Sequence, residues 1–173
     1  MELFYIRSHF PAPKLDLAVL STAASMAPSG SRLSLSYKEL REMPSETRVA
    51  TLECAGNSRV FLVPQARGAQ WELGAVGNAE WTGVPLRALL ERAGVEDDAC
   101  EIVLEGADRG TPAEEPVPPG PISYARSVPR DKAMQREVLI AYQMNGRDLS
   151  RRPWIPGARR LSPVIMAWLP SNG

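Results

Sequence analysis

Residues 49–52, Val-Ala-Thr-Leu, form an apolar and β-branched run that predicts a strand. Ala55-Gly56-Asn57 just beyond it predicts a tight, partly left-handed turn. Upstream, residues 33–37 recover an apolar pattern, and residues 36–44 predict a short helix. Ser36 stands at its cap, Glu39 three residues on as in a capping box, and Pro44 just past its end. Residues 85–94 predict a second helix, with Pro85 at its first turn and Gly94 at its end. Leu86, Leu89, Leu90 and Ala93 fall on one stripe of it and are assigned to the core. Residues 101–105 read as a strand opening into Gly106-Ala107-Asp108-Arg109-Gly110, and residues 111–121 as a solvated loop rich in proline, acid and glycine. A helical turn at 130–135, a strand at 138–142 and an Asn145-Gly146 hairpin turn follow. Residues 5–13 are extended and stiffened by proline. Residues 59–71 read as a loop, and residues 17–32 show neither helical nor strand periodicity. The pattern predicts an α+β fold with mixed β-sheets and short helices, without internal repeats.

Length and charge narrow the function classes. A chain of 173 residues fits one domain with a sizeable core. Its 20 basic and 20 acidic side chains cancel, which argues against nucleic acid or an anionic membrane as partner. No run approaches the roughly 18 apolar residues of a membrane span. The start, Met1-Glu2-Leu3-Phe4-Tyr5, lacks the charged and apolar regions of a signal peptide, so a cytoplasmic location is expected. Cys54 and Cys100 are too few and too far apart for a zinc ribbon. Nothing points to the oxidising compartment that a disulfide would need. Cys100, outside any motif, is assigned to the core.

The chemistry converges on Cys54. A thiol at the turn after a strand faces backbone N–H groups, with the Arg59 guanidinium nearby, and this suits a ligand or nucleophile. A small buried hydrophobe is the other reading of a lone cysteine. His9, the single histidine, reads equally as a hydrogen-bonded structural residue. Asp108 could merely shape a turn, Arg59 could be a surface cation, and Ser127 could satisfy a loop.

The wording of five stretches adds a resemblance. Thr51-Leu52-Glu53-Cys54-Ala55-Gly56-Asn57 followed by Arg59 resembles the signature of the sulfite oxidase family of molybdopterin-dependent oxidoreductases. So do Phe4-Tyr5, Arg7 and His9-Phe10-Pro11 near the start, and Trp81 with Gly83-Val84-Pro85-Leu86. Gly106-Ala107-Asp108 and Tyr124-Ala125 with Ser127 and Pro129 complete the set, in family order, and the resemblance implies a strand with a Gly-containing hairpin within residues 17–32. The resemblance implies a molybdenum-molybdopterin cofactor with Cys54 as the metal ligand. Arg59 and Arg7 would be cations on the substrate side. His9, Asp108 and Ser127 would contact the cofactor. It further implies oxygen-atom transfer to or from a small oxyanion or oxide, with a haem or other electron-transfer partner.

After residue 149 the wording departs from the family pattern. The family continues through a histidine, an arginine and a lysine that serve the cofactor, whereas residues 150–173 carry none of them in order. Back-translation of residues 161–173 in a shifted frame allows Val-Pro-Gly-His-Tyr-Gly-Met-Ala-Ser-Phe-Lys-Trp, the expected segment. A frameshift is therefore the expectation, with residues 1–149 a partial cofactor domain and 150–173 an aberrant tail. The usual C-terminal dimerisation domain is expected to be absent. Two alternatives stand beside the enzyme: a truncated, non-catalytic remnant that no longer retains cofactor, and a cofactor-free binding module using the loop at 111–121.

Overall fold

The computed structural model describes residues 4, 5, 10, 21–25, 32–96, 98–112, 117–149 and 165–167. The chain is α+β, as its pattern predicts. Strand β1 (Ser21–Ser25) pairs with β2 (Arg32–Ser36) as a ribbon. Helix α1 (Tyr37–Glu42) follows, and then β3 (Glu46–Glu53) and β4 (Val76–Pro85). After α2 (Leu86–Ala93) come β5 (Glu101–Gly110) and β6 (Ile122–Pro129), which form a second ribbon. The short α3 (Arg130–Ala133) leads into β7 (Leu139–Met144), β8 (Arg147–Asp148) and finally β9 (Ile165–Ala167). The central sheet runs β3-β4-β7-β8, with β9 paired to β7. Every pairing among the described residues is antiparallel.

Local chemistry accounts for the helix ends. The Ser36 hydroxyl accepts from the backbone N–H of Glu39 at 3.2 Å, while the Glu39 carboxylate accepts from the Ser36 N–H at 2.7 Å. This reciprocal box satisfies donors that the first helical turn leaves unpaired. The hydroxyl and backbone hydrogen bonds from Ser36 hold the Glu39 carboxyl below its usual range. At the other end of the chain, Asn145 (φ 50°) and Gly146 (φ 69°) make the left-handed turn between β7 and β8.

The central sheet carries a core on each face. Leu86, Leu89, Leu90 and Ala93 of α2 are buried, as their stripe predicts, against Leu35, Leu40, Val84, Ile140 and Tyr142. The opposite face buries Ala50, Ala79, Trp81, Ala141, Met144 and Leu149. Ile140 and Tyr142 face α2, so strict alternation would turn Met144 the same way. It does not, because Gly83 pairs with Ala141 while Thr82 pairs with Gln143, which leaves Tyr142 as an extra residue on β7. That bulge flips the side-chain parity and sends Met144 to the second face. Trp81, 1% exposed, closes this face and donates its indole N–H to the Ala50 carbonyl at 3.3 Å.

The structure corrects several expectations. Residues 21–25, whose Ser-Thr-Ala-Ala-Ser wording carries no strand periodicity, form a strand where the family resemblance implies one, because β2 supplies the pairing. Residues 76–85 and 122–129 are strands that the sequence pattern leaves unassigned. Cys100 is exposed instead of core, its sulfur lying 3.5 Å from the Asp98 carbonyl. Both cysteines are free thiols. No helix among the described residues is long and apolar enough to cross a membrane.

Glu46 ties the start of β3 to its surroundings through Arg48 and Arg136. The Arg48 hydrogen bond is the main cause holding its carboxyl below the usual range; partial burial opposes it, and Arg136 assists. A carboxyl depressed in the folded state contributes stability above its unfolded value of roughly 4.3, and that stability fades as pH falls through the folded value. Glu46→Gln is therefore expected to lower the urea midpoint at neutral pH, by no more than about 1 kcal/mol for partly exposed pairs. The gap should close in acid, as pH falls through the depressed folded-state value of Glu46.

Candidate functional site

Strand β3 ends at Glu53 and delivers Cys54 to the start of a long excursion that returns at β4. The two arms stay paired at its base: the Cys54 N–H donates to the Ala75 carbonyl at 2.9 Å, continuing the β3–β4 ladder beyond Glu53–Val76. Further out, the Ser58 N–H donates to the Glu72 carbonyl at 2.6 Å and the Trp71 N–H to the Gly56 carbonyl at 3.3 Å. Asn57 bridges across. Its side-chain N–H₂ donates to the Glu53 carboxylate at 2.7 Å, and its side-chain carbonyl accepts from the Ala75 N–H at 3.0 Å.

The half-buried Cys54 sulfur accepts from the Gly56 N–H at 3.4 Å. Gly56 is present for proximity. A Cβ there would stand 2.6 Å from the Ala69 carbonyl oxygen and 3.3 Å from the Trp71 ring. The left-handed residue of the turn is Ser58 (φ 63°), opening a short 3-10 turn at Arg59–Phe61, whereas the sequence suggested the Ala-Gly-Asn residues themselves. Arg59 is half-buried and its fork is occupied: Nη1 donates to the Arg67 carbonyl at 2.8 Å and Nη2 to the Ala55 carbonyl at 3.0 Å. The cation is thereby fixed beside the residue that follows Cys54.

An aromatic row flanks the turn. Phe4 stacks on Tyr5 at 5.4 Å and meets Trp81 edge-on at 5.7 Å, while Tyr5 meets Trp71 edge-on at 6.3 Å. Burial, then the neighbouring Cys54 and Glu53 charges, raise the Tyr5 phenol above its ordinary value. Phe4 and Tyr5 are thus seated at the cysteine turn. Arg7 and His9, which follow Tyr5, lie outside the described residues.

Asp108 and Ser127 belong to the β5–β6 ribbon, a different sheet from Cys54. Ser127 is exposed and pairs with Val103. Asp108 lies within the register shift between Glu105 and Arg109. Its carboxylate folds back over Gly106, where a Cβ would be 2.3 Å from it. The structure therefore anchors Arg59 on Ala55, the residue after Cys54, and leaves Asp108 and Ser127 on the β5–β6 ribbon.

Gln70 and Trp71 escaped the sequence reading, and Asn57 and Tyr5 entered it only as motif or turn residues without these contacts. A tryptophan and a glutamine in a loop otherwise made of small and exposed residues were the available signal. Among the described residues, no group of three or more histidine, cysteine or acidic side chains could hold a metal by itself. A single soft thiol in a cradle that a side chain at Gly56 would fill suits a metal that arrives already chelated and needs one protein ligand.

The family described as "Oxidoreductase molybdopterin binding domain" matches residues 25–168. Mitochondrial sulfite oxidase of Rattus norvegicus is 35% identical over 160 residues, covering 89% of this chain and 28% of that protein. The nitrate reductase [NADH] of Solanum lycopersicum is 36% identical over 163 residues, covering 87% of this chain and 17% of that protein. Among solved structures, the sulfane dehydrogenase SoxCD of Paracoccus pantotrophus superposes with a TM-score of 0.61 at 29% identity, covering 79% of this chain and 32% of that one. The chain thus spans about a third or less of the length of these relatives.

Asn57→Ala removes both side-chain bridges and strips the part-buried Ala75 N–H of its partner. Leaving such a donor unsatisfied costs about 1–3 kcal/mol. The urea midpoint of the variant should fall accordingly, and an unchanged midpoint would show that the excursion holds without this bridge.

Proposed function

The chain belongs to the oxidoreductase molybdopterin-binding domain family, and on that premise we propose that it is the cofactor-binding part of a sulfite-oxidase-type enzyme, with Cys54 as the protein ligand to molybdenum. The observation that carries this reading is the cysteine turn itself. One half-buried thiol is oriented by the Gly56 N–H, in a cradle too tight for a side chain at Gly56, with a fixed guanidinium alongside.

When bound, the molybdenum cofactor would supply two-electron redox chemistry and oxygen-atom transfer. The residues of the chain prepare the ground for it. The Gly56 N–H aims the Cys54 sulfur, and Asn57 holds the turn that carries it. Arg59 offers a planar, permanently charged group that favours approach of a small oxyanion or oxide. Because both of its outer nitrogens already donate to carbonyls, it meets the substrate as a positioned charge and not as a searching side chain. In this proposal Arg7 would add a second cation, and His9, Asp108 and Ser127 would contact the cofactor. A haem or another carrier would be the electron-transfer partner, as in the family. The departure of residues 150–173 from the family wording bears on how tightly the cofactor is retained.

The test is metal content. The chain is produced in a host that makes molybdopterin, and molybdenum per polypeptide is measured by mass spectrometry. Close to one metal per chain is expected, falling at least about tenfold in Cys54→Ser. Molybdenum at background would overturn the reading. An unfolded chain without metal would favour the remnant, and a stable fold without metal the binding module.

A further inference from the structure

Residues 66–70 carry a feature that ligation by Cys54 does not require. Three consecutive carbonyls, those of Ala66, Arg67 and Gly68, are all claimed by side chains. The Gln70 amide donates to Ala66 at 2.7 Å and to Gly68 at 3.0 Å, and Arg59 donates to Arg67 at 2.8 Å. The segment thereby curls around the guanidinium. Gly68 adopts φ +106°, a conformation rarely open to other residues, and a Cβ there would sit 1.9 Å from Arg59 Nη1. No other residue type could keep both that backbone angle and that contact. From its other side, the Ala55 carbonyl anchors Arg59 to the cysteine turn at 3.0 Å.

We propose that residues 66–70 form a cradle that fixes the Arg59 guanidinium on the cysteine turn, against the residue after Cys54, with Gly68 and Gln70 as positioning residues for the cation that meets an anionic substrate. The role assigned to that cation rests on the function proposed above. Its placement rests on the geometry alone. A loose arginine would lose side-chain freedom each time an anion arrived, whereas a clamped one has already lost it. Three exposed backbone carbonyls would gain nothing from this arrangement if Arg59 were an ordinary surface cation, since water would satisfy them equally well.

The placement can be read without the cofactor. In the full chain produced without molybdopterin, carrying Cys100→Ser so that only one thiol reacts, alkylation of Cys54 is timed with anionic iodoacetate and with neutral iodoacetamide. The two reagents are nearly equal in size, so a change in mere exposure alters both rates alike. Their ratio reports positive charge at the sulfur. Arg59→Gln is expected to lower the iodoacetate-to-iodoacetamide ratio roughly threefold, the scale of one nearby partly screened charge. Gly68→Ala should lower it to the same level although the arginine is still present, with no further drop when combined with Arg59→Gln. Gln70→Leu should lower it partway and decides the matter if Gly68→Ala fails to fold. A ratio unchanged by Gly68→Ala and Gln70→Leu in folded protein would overturn the cradle, as would a ratio insensitive to Arg59→Gln. Molybdenum content measured on the same chains separates this result from the ligation reading: a parent without metal but with the expected ratios loses the function and keeps the cradle.

Discussion

The pairing of Cys54 with Ala75 is the constraint on which the site depends. A β3–β4 hairpin could have ended anywhere along its ladder, and a connection this long would ordinarily wander. Here the ladder runs past the last paired strand residues and seizes the cysteine by its own N–H. Asn57 then repeats the closure with its side chain, and Ser58 and Gly56 continue it in backbone bonds to Glu72 and Trp71. The excursion is therefore a folded-back arm with a defined interior. That interior sets Ala69 and Trp71 against Gly56, and Arg59 against Gly68.

A second constraint positions the arm. β3 lies at the edge of the central sheet, and β4 is held on its far side by β7. The extra residue at Tyr142 lets β7 serve two cores, turning Ile140 and Tyr142 toward α2 and Met144 toward Trp81. Trp81 in turn meets Phe4, whose neighbour Tyr5 reaches Trp71 and the cysteine turn. Burial of a ring in the sheet core is in this way transmitted through an aromatic row to the place where the N-terminal segment approaches Cys54. The β5–β6 ribbon is tied instead to the α2 side through Ile102, Leu104 and Val128. Asp108 and Ser127 consequently belong to a separate element.

Local signals survived the passage from sequence to structure, and long-range ones did not. Ser36 with Glu39, the leucine stripe of α2 and Asn145-Gly146 were legible because each acts within a few residues of itself. Residues 21–25 were illegible in the residue pattern, where only the family resemblance implied a strand, because Ser-Thr-Ala-Ala-Ser has no strand preference and owes its state to β2. The bulge at Tyr142 left no mark in the pattern, since it is visible only when β4 and β7 are aligned. At the site, Cys54 and Arg59 were legible as types within a motif. The occupation of the Arg59 fork was not, because its partners depend on the fold-back set by Ala75. Cys100 was placed in the core on the habit of its residue type, and the backbone before β5 leaves it exposed.

The central claim is that Cys54 is the one bond between polypeptide and metal. X-ray absorption at the molybdenum edge addresses that bond directly, since sulfur and oxygen neighbours scatter differently. Chain isolated from a molybdopterin-producing host should show one more sulfur neighbour than the cofactor itself provides. Cys54→Ser, with whatever cofactor it still retains, should show that sulfur gone and the rest of the shell intact. An identical sulfur count in the two proteins would contradict the account.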